Sequence, residues 1–323
     1  MIRYFRWCNG NKDIWGTLTP YIFILPWIIG FLVFTLGPLI FSLFISFFDW
    51  PIVGSPRFVG LKNYLTMFTD DPFFWKSFGI TLKFALLFVP LNILTALFFA
   101  ILLNQNVKGL SFFRTAFYLP SVISGVALSM IWAWVFSKDY GILNYLLSLI
   151  GIEGPNWLGD KKWAILAMVI AGLWGQGSMI FIFLAGLKNI PKELYEASAI
   201  DGAGVSQQFF KITLPMLSPT ILFNLITTVI SAFQQLTLAL LLTGGGPAYS
   251  TYFYAMYVYD NAFKYFKMGY SAANAWFMFM VILLITYLIF KSSSFWVYYE
   301  SETALAVEKK DAGFFGNIAN KFS

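Results

Sequence analysis

Apolar and polar positions are segregated along this chain into long blocks. Six apolar runs, over about 21–48, 78–103, 112–136, 163–186, 218–242 and 268–290, alternate with shorter polar stretches. Each run holds at least the roughly 20 residues a helix needs to cross a hydrocarbon layer of about 30 Å. The implied fold class is all-α, a polytopic membrane protein with six transmembrane helices. The first run is too long for a signal-peptide core and lacks a small-residue cleavage site, so it reads as a retained span. Pro90 inside the second run predicts a kink. Residues 1–19 form an N-terminal segment, 20–290 the membrane domain with a polar loop at 188–215, and 291–323 a tail expected to be partly disordered. A loop of roughly 25 residues is read between the third and fourth runs, with no internal repeat and no separate soluble domain.

The polar island at 190–215 reads IPKELYEASAIDGAGVSQQFFKITLP. Its first half is expected to be helical, because Pro191 suits a first turn and Glu193 complements the positive end of the helix dipole. Gly202 supplies the stop, since it takes a left-handed C-terminal conformation most readily. A second short helix is expected over 206–213, halted by Pro215. The product is a helix–Gly–helix elbow between two spans.

Composition agrees with the membrane assignment. The chain has 323 residues, of which 59% are hydrophobic, 20% aromatic and only 11% charged, against about 25% charge in average globular chains. The net charge of +6 does not point to nucleic acid, because Lys and Arg are scattered through loops and form no basic face. The basic residues of the N-terminus, the turn after the second span, the elbow and the tail outnumber those of the opposite loops, which directs the elbow and both termini to the cytoplasm. Cys8 is the only cysteine, so an intramolecular disulfide is impossible, and the lack of histidine removes the usual metal ligand and proton shuttle.

Almost nothing ionisable lies within the six runs. Lys83 and Arg114 sit near span ends, where long side chains snorkel. A proton- or ion-coupled carrier needs carboxylates or histidines at membrane depth, and these runs have none. A phosphate-binding G-x-x-x-x-G-K-[ST] is also missing, and the glycine run Gly244 to Pro247 has no lysine and reads as a tight turn. Energy must therefore come from somewhere else, or the chain is a passive pore. In the fifth run Asn224, Thr228, Ser231 and Gln235 recur at i, i+4, i+7 and i+11, with Thr227 and Gln234 widening the stripe. Such a stripe serves either as hydrogen-bonding glue between helices or as the wall of a wetted path. Trp174 and Gln176 in the fourth run, and Ser121 and Ser124 beside Pro120 in the third, add rings and neutral hydrogen-bonding groups. That combination suits a sugar, whose faces are apolar and whose edge carries hydroxyls. Trp50, Trp75 and Trp163 read as an interfacial aromatic belt.

The elbow carries a resemblance. Glu196-Ala197-Ser198, three residues, Gly202, nine residues, then Ile212, Leu214 and Pro215 resemble the E-A-A…G…I-x-L-P loop of permease subunits of binding-protein-dependent ABC importers. Ser198 departs from the pattern, standing where it has its second Ala. FVGLKNYLTMF (58–68), SFFRTAFYLPSVISG (111–125) and Thr243-Gly244-Gly245-Gly246-Pro247 are similar to segments of the carbohydrate-uptake, maltose-type members. The resemblance covers most of 58–290. It implies a bacterial inner-membrane permease whose elbow couples to ATPase subunits through Glu193, Glu196, Ala197, Ser198, Asp201, Gly202, Ile212, Leu214 and Pro215. It also implies substrate contacts at or near Ser121, Gly125, Trp174, Gln176, Thr228, Ser231 and Gln235. The implied partners are a second related permease, two ATP-binding subunits that hold ATP and magnesium, an extracytoplasmic solute-binding protein, membrane lipid and a sugar. This chain itself would hold no cofactor and perform no covalent chemistry. A permease for another small solute, or a facilitator independent of nucleotide, would fit the spans and the stripe; a membrane-embedded enzyme lacks an acid–base or metal constellation.

Overall fold

The computed structural model describes residues 14–298 apart from 53 and 106, with the side chains of 14–18 left out. The N-terminal residues 1–13 and the tail from 299 onward lie outside the described residues, so the expected disorder of the tail is not addressed. Two compact units are distinguished: 1–69 with 261–276, and 70–260 with 277–323.

In the first unit, α1 (Ile14–Phe31), a π-helical turn (Leu32–Leu36) and α2 (Gly37–Ile45) run on as one helix. Its stretch Thr19–Ile45 is a candidate span whose apolar window is wholly unburied. The span ends earlier than the apolar run suggests, because Phe48–Asp49 (β1) pairs antiparallel with Arg57–Phe58 (β2). The expected interfacial helix is α3 (Lys62–Thr69). Asn63 fixes it by donating from Nδ2 to the carbonyls of Ser46 (2.8 Å) and Phe48 (2.9 Å). Gly269 passes so close to Phe48 that a Cβ there would collide with the Phe48 carbonyl.

The second unit is built around α4 (Pro72–Leu103), whose start Asp71 caps by accepting from the Phe73 N–H at 2.9 Å. With Pro72 pre-set for the first turn, the helix begins six residues before the apolar run does. Pro90 lies within it, and the helix continues through it without a break. The third apolar run is not one continuous helix. α5 (Leu110–Val122) and α6 (Gly125–Val135) meet at 103°. Ile123 is extended between them, and Ser124 Oγ caps α6 by accepting from the Ala127 N–H at 3.3 Å. The loop that follows contains a helix the sequence reading left out, α7 (Ile142–Leu149). It is clamped by Asn144, which donates to Lys138 and Pro155 carbonyls and accepts from Trp157 Nε1.

The fourth run is likewise broken, into α8 (Lys161–Trp174) and α9 (Gly177–Lys188) at 53°. The elbow comprises α10 (Lys192–Ile200), α11 (Val205–Gln208), a π-helical turn (Phe209–Thr213) and α12 (Leu214–Met216). The fifth run yields α13 (Ser218–Phe233), bent 64° from the preceding helix, and a π-helical turn at Ala239–Thr243. It is therefore shorter than the expected 218–242 and interrupted at 234–236. α14 (Tyr254–Tyr259) and the last span, α15 (Met268–Ser293), complete the described chain. Among the described residues three helices are long and apolar enough to cross a membrane, and six spans result when each bent pair is counted as one.

α4 packs against α8, α9, α13 and α14. Small residues allow this: Ala96 and Ala100 on α4, and Ala164, Ala167 and Ala171 on α8, are fully buried. Close approach of backbones is how helices associate where lipid removes the hydrophobic driving force between them. The same core takes in Met179, Ile180, Phe183, Leu184 and Leu187 of α9, and Leu217 at the foot of α13.

Candidate functional site

The elbow closes by local chemistry alone. α10 ends with Gly202 at φ +81°. The Gly202 N–H donates to the Ala199 carbonyl (3.0 Å) and the Ala203 N–H to the Ser198 carbonyl (2.9 Å), the two bonds of a Schellman cap. Gln207 Oε1 then accepts from the Gly204 N–H at 3.1 Å, starting α11. Two predicted details differ. Pro191 stands just ahead of α10 in an extended conformation, not in its first turn. Pro215 does not stop the second helix, which runs from Val205 to Met216. The π-helical turn immediately before it absorbs the hydrogen bond and the space that proline denies.

Side chains lock the two arms together. Gln208 Nε2 donates to the Tyr195 carbonyl (3.1 Å) and to Ser198 Oγ (3.0 Å), and Tyr195 and Thr213 share a hydroxyl bond of 2.8 Å. Ser198, the residue that departs from the motif, is thus an acceptor in the brace between the arms. Ile212 and Leu214 root the second arm against the core of α4 and α9. Glu193, Glu196, Ala197, Asp201 and Gly202 face outward. Beside them Ile200 and Val205 are 87% and 84% exposed, an apolar tip bordered by carboxylates.

In the membrane region the structure gathers some predicted residues and separates others. Gln176, Asn224, Thr228 and Ser231 line one cavity of about 390 Å³, together with Asn92, Ser178 and Thr227. A second cavity, about 410 Å³, is lined by Trp174 and Gln176 with Thr95, Phe117, Pro120 and Trp132. Gln176 therefore borders both, and its Oε1 accepts from Thr95 Oγ1 at 3.0 Å. Among the described residues, no ionisable side chain lines either cavity. Trp174 and Trp132 meet edge to face at 6.0 Å.

Gln234 and Gln235 do not continue the stripe. α13 ends at Phe233, Gln234 is its C-cap and Gln235 lies in the break, so the i+11 relation to Asn224 is lost. Ser121, Ser124 and Gly125 line neither cavity and sit at the α5–α6 corner. There Ser121 Oγ donates to the Tyr118 carbonyl (2.7 Å) and Ser124 serves as a cap. Ser121 nonetheless abuts the break in the fourth span: a Cβ on Gly177 would lie 3.0 Å from its Oγ. Asn92 was missed in the sequence because it stands alone in a long apolar run; a lone amide at membrane depth was the available signal. The glycine run is a turn, as expected, with Gly244 and Gly245 at positive φ and Thr251 Oγ1 donating to the Gly246 carbonyl at 2.6 Å.

A bundle of broken apolar spans around a neutral cavity, with a braced polar elbow between two of them, defines a membrane permease. The model for the binding-protein-dependent transport system inner membrane component matches residues 93–300. The chain is 45% identical over 289 residues to the probable ABC transporter permease protein YesP of Bacillus subtilis (strain 168), covering 88% of this chain and 93% of that protein. It is 34% identical to the trehalose/maltose transport system permease protein MalF of Thermococcus litoralis, covering 83% and 90%. Its fold matches that of a chain in a bacterial ABC transporter involved in the import of the acidic polysaccharide alginate, with a TM-score of 0.78, 24% identity and coverage of 88% and 97%. The chain belongs to the family of binding-protein-dependent transport system inner membrane components. It is a permease subunit of an ABC importer and not an enzyme, as its relatives are.

Proposed function

We propose that this chain forms part of the translocation path for a sugar or oligosaccharide. The observation that carries the reading is the neutral cavity bordered by Gln176, Asn224, Thr228 and Ser231. Amides and hydroxyls without charge suit a solute whose polar groups are themselves hydroxyls. Trp174, one cavity further along, offers a ring for the apolar face of a pyranose. Relatives named for trehalose/maltose, arabinooligosaccharides and sulfoquinovosyl glycerol support the substrate class.

The complete importer contains a second related permease, two ATP-binding subunits that hold ATP and magnesium and hydrolyse the nucleotide, and an extracytoplasmic solute-binding protein. The ATPases grip the elbow through the apolar tip at Ile200 and Val205 and the carboxylates of Glu193, Glu196 and Asp201. Ile212, Leu214 and Pro215 carry the motion to α13 and the core. The excess of Lys and Arg in the termini, the turn after the second span and the elbow supports a cytoplasmic position for both termini and the elbow. Reconstitution tests the reading. The full complex in proteoliposomes takes up oligosaccharide only with ATP inside and binding protein outside, and this chain alone moves none. Uptake by the isolated chain would make it a facilitator, and a complex that takes up only a non-sugar solute would overturn the substrate class.

A further inference from the structure

A third cavity lies in the loop between α6 and α8, apart from the polar stripe of α13. At about 540 Å³ it is larger than either cavity of the membrane region. Its frame is set by close contacts. Gly141 and Gly154 both line it, and a Cβ on either would collide, with the Ser137 and Val135 carbonyls at Gly141 and with the Asn144 amide at Gly154. Asn144, bonded to Lys138, Pro155 and Trp157, holds the two arms of the loop together. The walls carry two kinds of group. Trp134, Tyr140 and Tyr145 are 54%, 72% and 62% exposed. Among the described residues none of their rings meets another ring, whereas Phe136 and Trp157 close by pack together at 5.7 Å. Lys138, Asp139 and Glu153 also line the cavity, and among the described residues none of the three forms an ion pair.

Free rings beside unpaired charges of both signs select among ligands. An anion is repelled by Asp139 and Glu153, and a cation by Lys138. A hydroxyl suits all three, because it donates to a carboxylate and accepts from an ammonium, and hydrogen bonds to charged groups are the stronger kind. The exposed rings supply platforms for an apolar face. A sugar presents that face and that rim of hydroxyls in one molecule. Shape argues the same way: the volume lies within the roughly 300–1,000 Å³ of small-molecule pockets, whereas a protein partner is met by a surface of about 800 Å² a side. We infer that this cavity is a saccharide-binding site at the outer mouth of the path, where a sugar unit rests against Trp134, Tyr140 and Tyr145 with its hydroxyls on Lys138, Asp139 and Glu153. Trp132, on the same turn of α6 as Trp134, lines the 410 Å³ cavity of Trp174, so the outer site and the membrane cavity share one helix end. Charged groups recognise the sugar where water reaches them, and neutral groups pass it on at membrane depth, where charge is costly. The inference rests on the reading of this chain as a saccharide path with its elbow in the cytoplasm.

Because Cys8 is the only cysteine, Cys8→Ser gives a thiol-free subunit in which Ser148→Cys and Ile152→Cys, both on the cavity wall, are introduced singly. The assembled complex in right-side-out membrane vesicles is labelled with a membrane-impermeant methanethiosulfonate in the absence of binding protein. The protectant is whichever of maltotriose, arabinotriose or digalacturonate stimulates ATP hydrolysis by the complex once binding protein is added. The expected result is labelling at both positions, slowed by the saccharide alone. Labelling that the saccharide never slows overturns the inference while the path reading stands. Protection that appears only with binding protein makes the cavity a docking ground for that protein and overturns the inference equally. Labelling from inside-out vesicles alone overturns the orientation, and a complex that none of the three saccharides stimulates overturns the saccharide reading itself. A second measurement replaces Tyr140 and Tyr145 together, by Ala or by Phe. Without the rings, sugar carried per ATP hydrolysed falls about two- to tenfold, the range for one lost contact, and the Phe pair retains it. A slower ATPase at unchanged sugar per ATP in the Ala pair would again assign the rings to docking and not to sugar.

Discussion

Gly202 isolates the backbone contribution to coupling, because nothing else happens at that position. Its φ of +81° lies in the left-handed region, and an added Cβ would meet no atom within 4 Å. Gly202→Ala therefore introduces no clash, and its whole cost is the conformational penalty of about 1–2 kcal/mol for a side chain in that region. Opposing it are the brace from Gln208 to Tyr195 and Ser198 and the hydroxyl bond between Tyr195 and Thr213. At about 0.5–1.5 kcal/mol each, these bonds together equal or exceed the penalty. The elbow should thus keep its shape in the Ala variant but hold it less firmly, with the ratio of aligned to misaligned elbow falling by a factor of roughly 5–30. Gly202→Asn should be milder, since asparagine visits this conformation most readily after glycine. Gly202→Val should be the most severe, being β-branched at a positive φ. The assay is uptake per ATP hydrolysed by the full complex in proteoliposomes, with and without binding protein. The expected order of coupling is Gly, Asn, Ala, Val, at equal membrane insertion. Equal coupling across the four variants would refute the idea that the cap aims the second arm.

Glu196 is exposed at the tip and makes no brace contact, so Glu196→Lys should leave the complex foldable yet weaken ATPase binding, measured by co-purification at increasing salt; unchanged retention would remove the carboxylate from the interface. Ser198→Ala restores the common motif residue but takes an acceptor from Gln208 Nε2, so coupling should drop about two- to tenfold for one neutral hydrogen bond, with Gln208→Leu in the same background causing less further loss than it does alone. Additive losses in that double variant would show that the two side chains do not act together.

The elbow was legible in the sequence because its determinants are local. A glycine stop, an acidic first turn and a proline lie within a few residues of the bonds they control, and the observed α10, Gly202 turn and α11 follow them. Even there, the continuation through Pro215 was hidden, since a π-helical turn depends on neighbours that pattern does not report. The spans were legible as apolar runs but not as broken helices. Composition stays apolar straight through Gly175–Gln176 and past Ser124, so a hydropathy pattern reads one rod where the chain bends by 53° and 103°. The polar stripe was half right for the same reason. Asn224, Thr228 and Ser231 share a helix and a cavity, whereas Gln235 was assigned to their face on the assumption that the helix continued.

The break in the fourth span and the cavities explain one another. A helix interrupted at membrane depth exposes backbone donors and acceptors that lipid cannot satisfy, and such interruptions survive only when buried in protein or facing a wet space. Here Gln176 begins α9 at the break in the fourth span and borders both cavities. Gln234 and Gln235 occupy the break after α13, and Ser124 caps the corner between α5 and α6. Gly125, at that corner, lies so near the segment after α13 that a Cβ would sit 3.3 Å from Thr237 Cγ2. Ser124, Gln176 and Gln234, in three separate spans, thus stand at helix ends. A rod of uninterrupted helix could carry a polar stripe, but it would have to move as a whole. Segments joined at polar breaks can tilt separately about them. Under the proposed coupling, an elbow rooted through Ile212 and Leu214 in the α4–α9 core would have something to move: the bent half-helices that border the cavities, with α4 as the unbroken element against which they would turn.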